Sequence, residues 1–158
     1  IGLILSPEAM AFTQYRLAGY RLGLEEAGIT CDSTCIVAGD LSRESGERAA
    51  SELLERHPEL TAIVACNDLM AIGAYAAAEA RGRTVGQNIA IGGFDDIPLA
   101  EHVQPGLTTI RQPIYAMGEQ LTQLLVQIIT DKPPETPHKL LQPSLVVRDS
   151  SGFKLLSG

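Results

Sequence analysis

Short apolar runs alternate with helical patterns along this chain, and this alternation constrains the fold more than any other feature. Residues 1–5 form an apolar run that ends at Ser6-Pro7, and residues 61–66 form another that ends at Asn67-Asp68. Each run precedes a segment of helical spacing. Strands that alternate with helices of about 10 to 15 residues form right-handed crossovers and a mostly parallel sheet covered on both faces. The sequence therefore predicts a doubly wound, Rossmann-like α/β fold.

The other predicted elements complete this order. Further strands are expected at residues 35–38, 89–94, 107–110 and 145–147, and the tail from Ser150 onward is expected to fray. Apolar residues at helical spacing predict four helices that each bury one stripe. The stripes are Leu17, Tyr20, Leu24 and Ala27; Ala50, Leu53, Leu54 and His57; an Ala-rich helix from about Leu69 to Ala80; and Ile114, Met117, Leu121, Leu124 and Ile128 after Pro113.

Length and charge limit the functions that the chain can have. Its 158 residues suit one ordinary globular domain, and its formal net charge is -7 without a cluster of basic side chains. Because nucleic-acid affinity depends on clustered Lys and Arg, direct DNA binding by this segment is not expected. The first residues lack a basic region and an initiator Met, so we expect the chain to begin inside a domain, with neither a signal peptide nor a membrane span.

The three cysteines predict neither a disulfide framework nor a metal site. Cys31, Cys35 and Cys66 make an odd count, and their spacing does not match paired zinc ligands. Reduced thiols are the ordinary state of such residues in a cytosolic protein. We therefore expect no metal and no cofactor.

Polar side chains follow the predicted strands at the points where those strands end. Arg16 opens the first helix, Asn67 and Asp68 follow the third strand, and Asp95 and Asp96 follow the fourth. In doubly wound sheets, ligands bind at the carboxyl ends of the strands. This set of side chains suits a polyhydroxylated ligand. The guanidinium donates hydrogen bonds, the amide both donates and accepts them, and the carboxylate accepts them.

Each of these residues also has a structural alternative. Asp68 is favoured as the cap of the third helix, and Asp95 as a turn residue is as plausible as Asp95 as a ligand contact. An inter-element salt bridge is slightly favoured for Arg16 on spacing alone. Phe12 either points into the crevice or packs on the first helix, and Leu41 either lines the crevice or acts as a hydrophobic staple for the second helix.

Enzyme signatures are missing from the sequence. It has no G-x-S-x-G elbow, no Walker A loop, no G-x-G-x-x-G and no H-E-x-x-H. His57, His102 and His138 are far apart along the chain and are expected at helix ends or in solvent. The Asp95-Asp96 pair is a weak candidate for a magnesium site, because such sites gather carboxylates from several strand ends. The expectation is that the protein is not an enzyme.

Several segments match a known family in order along the chain. The segments are YRLAGY at 15–20, AIVACND at 62–68, MAIG at 70–73, GFDDIP at 93–98, PGLTTI at 105–110, QP at 112–113 and LVVRDS at 145–150. With these segments the chain resembles the effector-binding region of the LacI/GalR family of bacterial transcription repressors. Family members carry a helix-turn-helix, a hinge and a two-lobed core similar to periplasmic sugar-binding proteins.

The resemblance implies an incomplete two-lobed domain and assigns roles by position. By analogy, residues 1–110 form the C-terminal lobe, residues 111–143 include a crossover and a helix of the N-terminal lobe, and residues 144–158 return to the C-terminal lobe. The residues matching the family's effector contacts are Arg16, Asn67 and Asp95. Two further residues, Phe12 and Leu41, lie at positions that line the family's pocket. The residues in regions that form the family's dimer interface are Ile72, Ile97, Leu99 and His102.

The resulting expectation is the effector-sensing part of a cytoplasmic, homodimeric repressor. Its effector would be a sugar or a nucleoside, and operator DNA would be contacted only through an N-terminal domain outside this chain. Two other classes remain open on the sequence: a periplasmic solute-binding protein of a transporter, which shares the fold, and an enzyme on the same scaffold.

Overall fold

Four short parallel strands form the central sheet. In the computed structural model, which describes residues 1–132 and 138–152, they are β1 (Gly2–Leu5), β2 (Ile36–Ala38), β3 (Ala62–Ala65) and β4 (Ala90–Gly92). Their order in the sheet is β2-β1-β3-β4. The chain runs outward from β1 to β2 and then crosses back to β3, so the strand order reverses between β1 and β3. The predicted doubly wound fold is confirmed.

Helices follow the strands as the sequence predicts. They are α1 (Thr13–Glu26), α2 (Arg43–Arg56), α3 (Asp68–Glu79), α4 (Pro98–His102) and α5 (Ile114–Ile129). The five-residue α4 was not predicted, since it is too short to show a periodic pattern, although Pro98 occupies its first turn as helix starts favour. No helix among the described residues is long and apolar enough to cross a bilayer.

Two further strands form a small antiparallel ribbon beside the sheet. They are β5 (Thr109–Arg111) and β6 (Ser144–Val146). Strand β5 begins two residues later and ends one residue later than predicted, and β6 is shifted by one residue. Isolated parallel bridges join Gly92 to Thr108 and Asp95 to Arg111, so the ribbon continues from the β4 side of the sheet. The ribbon thus connects a distant part of the sequence to the edge of the sheet.

The expectation that the tail frays from Ser150 onward is wrong for Ser150 itself. This residue is fully buried; its hydroxyl donates to the Ile91 carbonyl at 2.6 Å and accepts from the Thr108 amide at 2.8 Å. Its two partners, one on β4 and one directly before β5, hold it in place, which a polar residue near the end of the sequence does not reveal. Residues 153–158 lie outside the described part of the chain.

The core lies between the sheet and the helices α2 and α3. Helix α3 is enclosed on most sides, with nine of its 12 residues buried, and the Leu53, Ile63 and Ile91 side chains are fully buried. Helix α1 contributes less than its pattern predicts. Only Thr13 and Leu24 are buried there, so the predicted stripe is wrong for Ala27, which is exposed.

The predicted buried stripe of α5 is exposed in this chain. Ile114 is 64% exposed, Leu121 58% and Ile128 52%, and none of the helix residues is buried. The amphipathic pattern correctly predicted the helix and its apolar face. The prediction that this face is buried was wrong, because no other described helix or strand packs closely against it.

Helices α2 and α3 approach each other through glycine. A Cβ atom on Gly73 would overlap the Arg43 carbonyl oxygen, and one on Gly46 would overlap the Met70 backbone. Because both obstructing groups are helix backbone, a larger side chain can be accommodated only by moving the helices apart. This contact fixes α3, whose first turn carries Asn67 and Asp68.

We predict that Gly73→Ala lowers the free energy of unfolding by about 1 to 3 kcal/mol, the usual cost of overpacking a filled core. Gly19→Ala is the matched control, because a Cβ at Gly19 in the middle of α1 meets no atom within 4 Å. It should stabilise the protein by up to about 1 kcal/mol through helix propensity. Urea denaturation measures both, and equal effects would contradict the close contact between α2 and α3.

Candidate functional site

The carboxyl ends of β1, β3 and β4 bring the predicted ligand residues together. Arg16 lies on α1 after β1, and its Nη1 donates to the carbonyl of Cys66 at the end of β3. Its Nη2 lies 3.9 Å from Oδ1 of Asp95, which follows β4. Arg16 therefore spans the point where the strand order reverses, and this point is the expected ligand position in a doubly wound sheet.

Two aromatic rings hold the Arg16 guanidinium. Its central carbon lies 3.9 Å from the centre of the Phe94 ring and 4.3 Å from that of the Phe12 ring. Cation–π contacts of this kind favour a fixed guanidinium orientation. Phe12 remains 37% exposed, whereas the Arg16 side chain is 19% exposed. The guanidinium is thus packed against two aromatic rings and only partly open to solvent.

The Asn67 amide caps α3 and supports the neighbouring loop. Its Oδ1 accepts from the Met70 amide at 2.9 Å, and its Nδ2 donates to the Leu41 carbonyl at 2.9 Å. Leu41 has a φ of 73°, which is unfavourable for a residue with a side chain, and the Asn67 bond stabilises it there. The staple alternative for Leu41 is wrong, because the staple position on α2 is occupied by Gly46.

The capping role proposed for Asp68 is wrong, because Asn67 is the N-cap. Asp68 is the first helical residue and is fully buried; it accepts from the Ile97 amide at 2.9 Å and from the Thr109 hydroxyl at 2.5 Å. Burial raises the pKa of this carboxyl, and the nearby charges of Asp95 and Asp96 add to the effect, while its two hydrogen bonds oppose it. Asp68 is therefore a structural link rather than an exposed ligand.

Asp95 and Asp96 point to different partners. Both have positive φ angles, 120° and 55°. The Asp95 Oδ1 atom accepts from Gln112 Nε2 at 2.7 Å, whereas Asp96 accepts from Arg148 at 2.8 Å and from Arg111 at 2.5 Å. Neither caps a helix, since Ile97 is the residue before α4.

The Asp96 carboxyl is held ionised by its arginine partners. Burial alone raises its pKa, but the hydrogen bonds and charges of Arg148 and Arg111 outweigh burial and leave the pKa below its ordinary value. Its side chain is only 6% exposed. Asp96 thus anchors the ribbon to the sheet, while Asp95 remains about one-third exposed at the candidate site.

Sequence reasoning did not assign a positioning role to the three groups that hold the predicted contacts. Gln112 orients Asp95, Phe94 covers Arg16, and the Cys66 carbonyl accepts from Arg16. Gln112 and Phe94 lie in segments that match the LacI/GalR pattern, so position was available as a signal. The Cys66 carbonyl carried no sequence signal, because every residue type has the same backbone carbonyl.

The residues predicted at a dimer interface differ in exposure. Ile72 is only 5% exposed and packs in the core, so little of its side chain is available to a partner. Leu99 is 46% exposed, Ile97 is half-buried and His102 is exposed. The interface itself stays a prediction for the surface of α4.

The histidines lie where the sequence indicated. His57 caps the end of α2, His102 is the last residue of α4, and His138 is exposed. The three cysteines are free, with Cys31 exposed and Cys35 and Cys66 buried.

The fold and the side chains at its strand ends define a doubly wound α/β lobe with a polar edge. The family model for the periplasmic binding protein-like domain matches residues 1–151. The chain therefore belongs to the periplasmic binding protein-like domain family.

Curated relatives are transcription regulators, which confirms the LacI/GalR resemblance. The chain is 39% identical over 150 residues to the HTH-type transcriptional regulator CelR of Thermobifida fusca, covering 95% of this chain and 44% of that protein. It is 36% identical over 151 residues to the HTH-type transcriptional repressor CytR of Escherichia coli (strain K12), covering 96% of this chain and 44% of that protein. The chain thus spans under half the length of these relatives.

Solved structures agree with this assignment. A CelR–cellobiose complex superposes with a TM-score of 0.88 at 38% identity, covering 94% of this chain and 46% of that one. A LacI-family regulatory protein from Chloroflexus aggregans superposes with a TM-score of 0.89 at 40% identity, covering 96% of this chain and 54% of that one. The fold predicted from the sequence is therefore confirmed as part of a larger domain.

Asp68 should give the protein a pH-dependent stability that Asp68→Asn lacks. A carboxyl whose pKa is raised by folding contributes stability that is fully present below its unfolded pKa and is lost as pH rises through its folded pKa. The unfolding free energy of the wild type should therefore fall relative to that of the variant as pH rises above about 4.

Urea denaturation of the wild type and of Asp68→Asn at a series of pH values tests this prediction. A difference in unfolding free energy between the two proteins that stays constant across the pH series would contradict the raised pKa of Asp68.

Proposed function

We propose that this chain is the effector-binding lobe of a ligand-responsive transcription repressor. The observation that carries the proposal is the convergence of Arg16 and Asp95 at the reversal of strand order, with Asn67 on the adjacent cap. The ligand contacts are Arg16, Asn67 and Asp95, and Phe12 and Leu41 line the site. The CelR relative supports a sugar as the ligand class, because its structure is a cellobiose complex.

The geometry suits a ligand with neighbouring hydroxyls. Among the described residues, the hydrogen bonds to the Asp95 side chain use Oδ1, which leaves Oδ2 as an acceptor. Arg16 Nη2 is 3.9 Å from Asp95, too long for a strong hydrogen bond, so it retains donor capacity. One hydroxyl can donate to Asp95 while its neighbour accepts from Arg16. Charged partners make such bonds stronger than neutral ones.

A second lobe would complete the site. We assign residues 1–110 and 144–158 to the C-terminal lobe, and the crossover and helix within residues 111–143 to the N-terminal lobe. The exposed apolar face of α5 supports this division, because Ile114 is 64% exposed, Leu121 58% and Ile128 52% in this chain. An amphipathic helix is stable in water when such a face is covered.

Effector binding would then act by shifting the balance between open and closed lobes. A ligand that contacts both lobes binds the closed state more tightly, and only this difference can shift the population. We place the dimer contact on the surface of α4 around Ile97, Leu99 and His102. Lobe closure would change the relative positions of the two N-terminal DNA-binding domains in such a dimer.

DNA binding, location and the absence of catalysis follow from the same proposal. The net charge of -7 makes this lobe unsuited to contact phosphates, so the operator is bound by the N-terminal helix-turn-helix of the full protein. The relatives are named as HTH-type regulators, which supports a cytoplasmic, non-enzymatic role. A periplasmic solute-binding protein would share the ligand site but would not bind DNA.

Arg16→Ala in the full-length protein should abolish the response to effector while preserving operator binding. Calorimetry after a thermal-shift screen of sugars and nucleosides, including cellobiose, should show an affinity loss of at least about tenfold, because hydrogen bonds to a charged group contribute about 1.5 to 3 kcal/mol. Arg21→Ala is the matched control, since Arg21 is exposed on the same helix. An Arg16→Ala protein that still responds normally would overturn the assignment.

The neighbouring carboxylates should separate binding from stability. Asp95→Asn should weaken effector binding by about tenfold or more, because it removes the acceptor charge. Little stability should be lost, because the side chain is about one-third exposed and Asn keeps an oxygen that can accept from Gln112. Asp96→Asn should lower the unfolding free energy by about 1 to 3 kcal/mol, because it weakens the contacts of a nearly buried carboxylate to Arg148 and Arg111. Calorimetry and urea denaturation of both variants test this, and the reverse pattern would refute the division of roles.

A further inference from the structure

A second cluster of polar side chains lies at the opposite edge of the sheet. One ligand atom each from Asp32, Cys35 and His57 lies within 4.8 Å of the other two. Cys35 directly precedes β2, and His57 ends α2, so the cluster belongs to the amino end of β2. It is therefore separate from the candidate effector site at the carboxyl ends of the strands.

The His57 imidazole is oriented by contacts on both ring nitrogens. Its Nδ1 lies 3.3 Å from Glu59 Oε1, and its Nε2 lies 2.9 Å from Thr34 Oγ1. The same Thr34 hydroxyl donates to Asp32 Oδ1 at 2.7 Å, so Nε2 is the nitrogen that faces the Asp32 loop. A metal-binding histidine commonly donates its other ring N–H to a carboxylate, and Glu59 is placed to accept it.

We propose that Cys35, His57 and Asp32 form a zinc-binding site that ties the loop before β2 to the end of α2. A thiolate, an imidazole and a carboxylate are all zinc ligands, and the thiolate disfavours Mg²⁺ and Ca²⁺. Three protein ligands leave the fourth tetrahedral position to water. On binding, the Cys35 proton passes to solvent as the zinc–sulfur bond forms, and the Asp32 carboxylate and His57 Nε2 each supply a lone pair.

The site can close around the ion by small side-chain movements. Zinc bonds of about 2.0 to 2.3 Å place tetrahedral ligand atoms about 3.5 Å apart, so the present separation of up to 4.8 Å must shorten by about 1 Å. Cys35 is buried and fixed, whereas Asp32 is exposed and the His57 side chain is 17% exposed. Asp32 and His57 would exchange their contacts with Thr34 for the metal.

Titration of the metal-free protein with Zn²⁺ and with Co²⁺ tests the proposal. Competition against a chromophoric chelator measures the zinc affinity, and a thiolate-to-cobalt charge-transfer band reports ligation by Cys35. We expect both signals in the wild type, no charge-transfer band in Cys35→Ser, and zinc affinity lowered at least about tenfold in His57→Gln and Asp32→Asn. Glu59→Gln, which alters the orienting contact, should lower the affinity about tenfold.

Two variants serve as matched controls. Cys31→Ser removes an exposed thiol next to Asp32, and His138→Gln removes an exposed imidazole elsewhere. Both should bind zinc within about threefold of the wild type, well inside the loss expected for a ligand. Circular dichroism confirms that each variant is folded, and the exposed Asp32→Asn keeps the test valid if Cys35→Ser does not fold.

Three outcomes would overturn the proposal. The first is a wild-type zinc affinity no higher than that of folded Asp32→Asn. The second is a cobalt spectrum without the thiolate band. The third is a loss in Cys31→Ser as large as that in Cys35→Ser, which would assign the metal to the two cysteines instead.

Discussion

The buried carboxylate of Asp68 is the contact on which the geometry of the candidate effector site depends. The carboxylate joins the start of α3 to the Ile97 amide before α4 and to the Thr109 hydroxyl on β5. The backbone amide of Asp68 donates to the Phe94 carbonyl. Losing a buried acceptor would leave both donors unsatisfied, at a cost of about 1 to 3 kcal/mol each. These contacts fix the relative positions of α3, the start of α4 and β5. Asp95 lies between Phe94 and Ile97, which both bond to Asp68, so its position is fixed as well.

Around Asp68, neighbouring residues of similar chemistry divide structural and binding roles. Asn67 caps α3 and holds Leu41, yet each of its amide atoms retains capacity for one more hydrogen bond. The positive φ angles of Asp95 and Asp96 turn adjacent carboxylates toward different partners. Asp96 accepts from two arginines, whereas Asp95 accepts from Gln112 through Oδ1 and keeps Oδ2 as an acceptor for a ligand. Such a site is organised before a ligand arrives, which lowers the entropic cost of binding.

The sequence predicted the fold better than it predicted burial and capping. Periodicity in Ala50, Leu53 and Leu54 was enough to find α2 and its inner face, because an apolar stripe reports which side a helix turns to the core. It could not report whether the stripe of α5 has a neighbour. The strand-end rule found Arg16, Asn67 and Asp95 together, but the exchange of roles between Asn67 and Asp68 depends on a φ and ψ choice at a single residue, which composition does not encode.

The cluster at the other edge shows a different limit of sequence reasoning. Metal motifs are recognised when ligands repeat at short spacing on one element. Here Asp32 and Cys35 lie on one turn, but His57 reaches them only because the crossover through α2 returns the chain to the amino end of β2. The same crossovers that gather hydrogen-bonding side chains at the carboxyl ends thus gather a softer set of ligands at the amino ends. Where ligands converge through topology, counting cysteines alone underestimates what a doubly wound fold can bind.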